Sequence, residues 1–336
     1  MPKMILTGGQ SGTLRRGLRD VFANAYDTQA PTTRQELAPV MDEFPSDTNQ
    51  EFYAYYKHAP YPKYWPRGAA VQKAGFEAVQ FSVVNRDWGV EVEWHKNDEL
   101  DEQLGNLRKR AADAGKNFAY NDTLAFFDLL QGTVNFLPGT VSAPDGAAVF
   151  ATVDGNSAAR FGATNGNLLT STGNNCFSSS SVLRGDIWRV YEQFGLFQNT
   201  EGYPLWPKSV LDNGLIVFFA MDNQDIAAEA FLLNWHSYST VQAGNIPIEN
   251  SLMAANIKIE LRPTQHITTD DCYVFLRGAP QKPFFKQVRT PPEEMPFDEQ
   301  NSKESARTLL RSIIFHEYSG YGAFLPYQMI KLESSS

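Results

Sequence analysis

The fold prediction rests on one stretch, positions 97–132, whose sequence is NDELDEQLGNLRKRAADAGKNFAYNDTLAFFDLLQG. Its apolar residues recur at alternating steps of three and four, the spacing of one helix face: Leu100, Leu104, Leu107, Ala111, Ala114 and Phe118. Asn97 is placed to cap the helix, and the acidic residues precede the basic ones, which suits the helix dipole. We predict one long charged helix and, from Asp122, a second apolar helix that ends at Gly132. The apolar residues form only a narrow stripe along the helix, which indicates a helix that lies across a domain or between subunits.

Two segments with period-two alternation precede this helix. Apolar residues alternate with polar ones over 79–83 and again over 90–94, and the glycine-containing segment 85–89 between them predicts a β-hairpin. Residues 44–65 combine many aromatic residues with prolines, which favours an extended ribbon packed on a partner surface. Within residues 1–50 the sequence predicts a short amphipathic helix followed by a polar segment. This region is either an arm that binds another part of the assembly or the ordinary first helix of a domain.

The remainder of the chain predicts short strands, long loops and few helices. Turn signals dominate 138–181, helices are expected over 186–194 and 225–234, and a buried strand is expected over 214–220. Further strands are expected over 257–261, 273–276 and 282–289. A loop over 291–304 and a closing strand pair, 309–318 with 324–331, complete the chain. The predicted class is α+β.

Composition excludes several classes of protein. The 336 residues carry a net charge of −9, which argues against a protein that coats nucleic acid. Cys176 and Cys272 are far apart in sequence and are predicted to be free thiols in a reducing cytoplasm. We find no signal peptide and no apolar run of about 18 residues, so no membrane span is expected.

No motif predicts catalysis. The glycine-rich segment Gly8–Thr13 suggests a phosphate loop, but no Walker sequence follows it, so a nucleotide-sugar or phosphate-binding enzyme is the weaker hypothesis. His266, Asp270, Asp271 and Cys272 do not have zinc-ligand spacing and predict a polar turn. We therefore predict no catalytic residue, no metal, no cofactor and no enzymatic activity, although a triad assembled in space is not visible in sequence.

Several short segments, in their order of appearance, resemble the Mu-like prophage major head subunit family, whose members have the Hong Kong 97 capsid fold of tailed phages. They are FPSDT at 44–48, the aromatic run ending in WPRG at 65–68, GFEA at 75–78, VEWHKNDEL at 92–100, FDLLQG at 127–132, FLPG at 136–139, DIAAEAFLLN at 225–234 and PFFKQVRTPP at 283–292. The resemblance covers most of residues 44–331.

The resemblance implies a major capsid protein that self-assembles into an icosahedral shell around phage DNA. It implies an N-terminal arm (1–50), an extended loop (51–94), a peripheral domain with the spine helix (95–145 and 251–336) and an axial domain (146–250). Candidate inter-subunit contacts are Arg15, Arg16, Arg19, Tyr61, Trp65, Arg67, Arg86, Trp88, Arg108 and Arg110.

The implied partners are copies of the same chain in hexamers and pentamers, with scaffold, portal or decoration proteins and only weak, non-specific contact with packaged DNA. The implied location is the virion, assembled in the host cytoplasm and without membrane contact. An encapsulin-like compartment shell is the alternative use of the same fold.

Overall fold

A computed structural model describes residues 12–58, 64, 67, 77–95, 104–139, 141–199, 201–231, 235–237, 247–249, 257–279, 281–295 and 310–334. The helices are α1 (Gly12–Leu37), α2 (Leu104–Gln131), α3 (Ser180–Leu196), α4 (Lys208–Leu211) and α5 (Gln224–Phe231). The first strands are β1 (Met41–Pro45), β2 (Gln50–His58), β3 (Glu77–Val84), β4 (Arg86–His95) and β5 (Leu168–Thr170). They are followed by β6 (Leu215–Ala220), β7 (Trp235–Ser237), β8 (Pro247–Glu249), β9 (Ile259–Thr264), β10 (Cys272–Leu276), β11 (Phe284–Glu294), β12 (Leu310–Ala323) and β13 (Met329–Glu333).

The chain divides into two compact units. The first comprises 1–51, 82–126 and 285–321, and the second comprises 52–81, 127–284 and 322–336.

The first unit is built on a four-stranded sheet in the order β1-β11-β12-β4. Its strands alternate between buried and more exposed residues because successive side chains point to opposite faces. In β12, for example, Ile313 and Phe315 are fully buried, whereas Ser312, Ile314 and His316 are half-buried. One face of this sheet therefore supplies the apolar surface of the unit.

Helices α1 and α2 share that core with the sheet. Leu107, Ala111 and Phe118 of α2 are buried, so the predicted apolar stripe does pack on the chain's own sheet. Phe22 of α1 lies against Phe118, with ring centroids 6.0 Å apart. A Cβ on Gly115 would stand 2.5 Å from the backbone oxygen of Phe22, so only glycine permits this approach of α2 to α1.

The second unit is built on a five-stranded sheet in the order β5-β13-β10-β6-β9. Strand β10 is antiparallel to both β13 and β6, whereas β5 and β9 run parallel to their neighbours. All six residues of β6 are buried, as its uninterrupted apolar sequence predicts. Apolar residues of α3 and α5 join the core of this sheet, among them Ile187, Phe194 and Phe231.

The predicted hairpin over 79–94 is wrong in its pairing. Strand β3 pairs with β2, and β4 pairs with β12 instead. The supposed turn is absent because Asp87, Trp88 and Gly89 are already in the β4 ladder, opposite Tyr318, Glu317 and His316. Period-two alternation identifies strands but does not specify which strand lies beside which.

Two helix boundaries also differ from the predictions. Residues 104–131 form one helix, so no second helix begins at Asp122, whose carboxylate pairs with Lys286. Helix α1 continues through Pro31 to Leu37, held by side chains buried in its second half. Gly132 does end α2, with φ of 66°. The predicted cap at Asn97 lies outside the described residues.

The closing strands do not pair with each other. Strand β12 belongs to the four-stranded sheet and β13 to the five-stranded sheet. Strands β9, β10 and β13 come from the segment predicted as peripheral, but they share one sheet with β5 and β6 from the segment predicted as axial.

Candidate functional site

The candidate contact residues of α1 occupy different settings. The side chains of Arg15 and Arg16 lie outside the described part of the structure, although both residues belong to α1. Arg19 is buried, and its Nη1 lies 3.4 Å from Oε2 of Glu294 on β11. The structure thus places Arg19 in an ion pair within the chain.

Candidate residues on β4 and α2 lie at or near the surface of the first unit. Arg86, Arg108 and Arg110 are exposed, and Nη1 of Arg110 donates to the backbone oxygen of Glu93 at 3.4 Å. Trp88 is half-buried, and its Nε1 donates to the backbone oxygen of Ser319 at 3.2 Å. The structure therefore places three of the candidate guanidinium groups on the exposed surface of the first unit.

Strands β2 and β3 form a separate two-stranded sheet that presents aromatic side chains. Tyr53 stacks on Phe81 with ring centroids 5.6 Å apart, and Phe81 in turn contacts Phe324 at 5.7 Å. Phe52, on the other face of β2, is 62% exposed.

The residues between β2 and β3 are described only in part. Tyr64 is 87% exposed, and Arg67 is exposed in a turn. Tyr61 and Trp65, two of the candidate contact residues, lie outside the described residues, and so does most of the phosphate-loop segment Gly8–Thr13.

Asn85 fixes the point where the chain passes from β3 to β4. Its buried Nδ2 donates to Oγ of Ser46 and to the backbone oxygen of Thr48, both at 2.7 Å. Its Oδ1 accepts a hydrogen bond from Nε2 of Gln287 at 2.8 Å. These contacts hold β3 and β4 in separate ladders, and the sequence pattern gave no sign of them.

A buried arginine orders the loop-rich segment after α2. Arg160 makes a bidentate pair with Asp145, Nε to Oδ2 at 2.7 Å and Nη2 to Oδ1 at 2.9 Å. Its Nη1 donates to two backbone oxygens and to Oδ1 of Asn167. Sequence analysis missed Arg160, because a single arginine in a polar loop gives no signal until its partners are known.

The His266–Cys272 segment forms the polar turn that the sequence predicts. Its carboxylates are engaged within the chain: Asp270 accepts hydrogen bonds from Asn175 and Asn223, and Asp271 pairs with Lys331 at 3.0 Å. Asp270 and Asp271 line an open depression of about 770 Å³. Within the described ranges, no group of three or more histidine, cysteine or acidic side chains is arranged to hold a metal ion.

The two cysteines, distant in sequence, lie side by side as buried free thiols. A hydrogen bond from Cys272 lowers the pKa of Cys176, whereas burial raises the pKa of Cys272 well above its usual range. Of the helices in the described portion, none is both long and apolar enough to cross a membrane.

Comparison with known proteins gives the family. Residues 12–177 match the model of the Mu-like prophage major head subunit gpT. Just under half of the chain therefore matches the Mu-like major head subunit family. The predicted family and the predicted α+β capsid fold are therefore confirmed. No curated protein sequence matches the chain at a significant level.

Solved structures agree on the fold of this head subunit. The capsid of an empty GTA particle matches with a TM-score of 0.54 at 7% identity, over 89% of this chain and 89% of that chain. The capsid of Myoviridae phage XM1 matches with 0.52 at 13% identity, over 89% and 90%. The capsid of cyanophage P-SCSP1u matches with 0.51 at 9% identity, over 88% and 86%. At such low identity these structures show the capsid fold alone.

Proposed function

We propose that this major head subunit assembles with copies of itself into the icosahedral shell that encloses phage DNA, and that it performs no catalysis. The family match over residues 12–177 carries this proposal. The subunit's exposed aromatic and cationic side chains support it, because shell subunits bury such side chains against their neighbours. The acidic net charge fits a shell that contacts packaged DNA only weakly, since few phosphates would be neutralised.

In this proposal α2 is the spine helix of the peripheral domain, and its exposed face meets neighbouring subunits. Residues 51–94, which include β2, β3 and β4, act as the extended loop that reaches a neighbour. Residues 1–50 act as the arm, residues 95–145 and 251–336 form the peripheral domain, and residues 146–250 form the axial domain. Hexamers and pentamers of the subunit form around the axial domains, and scaffold, portal or decoration proteins join the shell. The shell assembles in the host cytoplasm and becomes part of the virion.

The test is assembly of the full-length chain with its scaffold present. Light scattering and negative-stain microscopy are expected to show closed shells. A chain that is well folded yet strictly monomeric under these conditions contradicts the proposal. An encapsulin-like shell would also appear as closed particles, but it would hold a protein cargo, and its gene would lie beside a cargo enzyme rather than beside terminase, portal and tail genes.

Charge reversal on α2 tests the contact surface itself. The double substitution Arg108→Glu and Arg110→Glu is expected to reduce shell yield at least tenfold, while the unfolding midpoint stays unchanged because both side chains are exposed. Lys208→Glu is the control, because the Lys208 side chain on α4 is 78% exposed, and it is expected to retain the wild-type yield. Equal yields from all three proteins contradict the role assigned to the α2 surface.

A further inference from the structure

The first unit encloses a lysine between two carboxylates. Nζ of Lys286, on β11, lies 2.6 Å from Oδ1 of Asp122 on α2 and 2.6 Å from Oε1 of Glu317 on β12. All three side chains are buried, with exposed fractions of 3%, 10% and 1%. The hydroxyl of Tyr321 donates to the same Oδ1 of Asp122 at 2.8 Å. None of these residues is used in the proposed assembly function.

We propose that Lys286 and Asp122 form an intramolecular amide bond, with Glu317 as the proton-transfer group. The ammonium of Lys286 gives a proton to Glu317, and the neutral Nζ attacks the carboxyl carbon of Asp122. One carboxyl oxygen then leaves as water, taking one proton returned by Glu317 and a second proton from Nζ. One ammonium and one carboxylate are thus converted to one amide and one water molecule, so no oxidant, cofactor or activating group is needed.

The geometry suits the attack. Nζ of Lys286 lies 2.6 Å from Oδ1 of Asp122, and that oxygen is bonded directly to the carbon that Nζ would attack. Near-attack geometry requires reacting atoms about 3–3.5 Å apart, and holding two groups in this way is equivalent to an effective concentration of about 10⁵ M or more. The Tyr321 hydroxyl is placed to stabilise negative charge that develops on Oδ1 during the attack.

Burial gives the reaction its driving force. Two charges held away from water carry a large desolvation penalty, and the neutral amide does not. Burial raises the pKa of Glu317, although Lys286 opposes this, so the carboxyl is suited to holding a proton. Burial alone would lower the pKa of Lys286, but Tyr321, Asp122 and Glu317 raise it well above its usual range. The first proton transfer is therefore uphill, and we expect the bond to form slowly after folding.

The experiment is an intact mass measurement on the denatured full-length chain, sampled over days after purification. The expected mass is that of the sequence minus one water, and proteolytic mapping is expected to recover a branched peptide that joins position 122 to position 286. Lys286→Arg and Asp122→Ala are expected to show the full sequence mass. Glu317→Gln is expected to form the bond at least about 10²-fold more slowly, the usual contribution of a general acid–base group.

Lys331→Arg is the matched control, because Lys331 also pairs with a carboxylate but in the other unit, and it is expected to keep the mass deficit. Two results overturn the proposal: a folded wild-type chain with its full mass and only linear peptides, or a mass deficit that persists in Lys286→Arg. The wild-type measurement decides the question even if a variant fails to fold. Both overturning results leave the assembly proposal intact.

Discussion

Arg160 offers the sharpest test of what holds the loop-rich segment together. Its guanidinium makes five close contacts with side-chain and backbone oxygens, two of them to the carboxylate of Asp145. Neither side chain of the pair is accessible, with exposed fractions of 0% and 8%. Arg160→Met removes the cation and leaves the Asp145 carboxylate buried without its partner, so we expect a loss of about 3–5 kcal/mol of unfolding free energy.

Two further variants separate charge from geometry. Arg160→Lys keeps the charge but loses the planar fork, so about two hydrogen bonds are lost and the expected cost is about 2–3 kcal/mol. Adding Asp145→Asn to Arg160→Met removes the unpaired charge and is expected to recover part of the loss.

The measurement is equilibrium urea unfolding of the unassembled chain, with Lys208→Ala as an exposed ion-pair control that is expected to match the wild type. The reasoning is refuted if Arg160→Met unfolds within about 0.5 kcal/mol of the wild type, the range of an ordinary surface substitution. It is also refuted if the lysine variant is less stable than the methionine variant.

Three further outcomes are expected. Phe22→Ala should cost about 3–5 kcal/mol in urea unfolding, because the ring is buried and stacked on Phe315, and a cost below about 1 kcal/mol would contradict this packing. Burial raises the pKa of Tyr26 to about 12 and that of Tyr327 to about 12, whereas a phenol in the unfolded chain ionises near 10. Because both phenols hold their protons to a higher pH in the folded state, the stability that they contribute is complete below pH 10 and is lost between about pH 10 and pH 12. Urea unfolding across this range should show a steeper loss of stability for the wild type than for the double variant Tyr26→Phe and Tyr327→Phe. Phe52→Ser should leave the unfolding midpoint unchanged and lower shell yield by light scattering, because the ring is exposed on β2; unchanged yield would argue against a contact there.

Local patterns in the sequence predicted the elements well. The three-and-four spacing of Leu107, Ala111 and Phe118 identified both the helix and the face that it buries. The uninterrupted apolar run of β6 and the helix-ending glycine at 132 were also visible. These features depend on residues close together in the chain, so the sequence displays them directly.

Pairings between distant segments were not predictable in the same way. Strand β4 alternates like a hairpin strand, yet its partner is β12, more than 200 positions away in sequence. Alternation shows which side of a strand is buried, but it does not show which strand lies beside it. The partners of Asn85, whose hydrogen bonds keep β3 and β4 in separate ladders, lie on β11 and in the segment before β2. Likewise, the local sequence around Arg19 does not display its ion pair with Glu294 on β11, which is 275 positions away.

The sequence by itself determined that this head subunit has an α+β capsid fold, a long charged helix with one apolar stripe, and no recognisable catalytic motif, because these follow from local periodicity and from the order of short segments. Only the tertiary structure decided which strands share a sheet and which polar residues meet. Three elements contribute Lys286, Asp122 and Glu317, and Lys286 is 164 positions from Asp122 and 31 positions from Glu317 in sequence. Only the packing of α2 on the sheet brings Nζ of Lys286 to 2.6 Å from a carboxylate oxygen of each. Burying a charged side chain costs free energy unless an opposite charge lies beside it. These three side chains lie side by side only in the folded chain, so their chemistry exists only there.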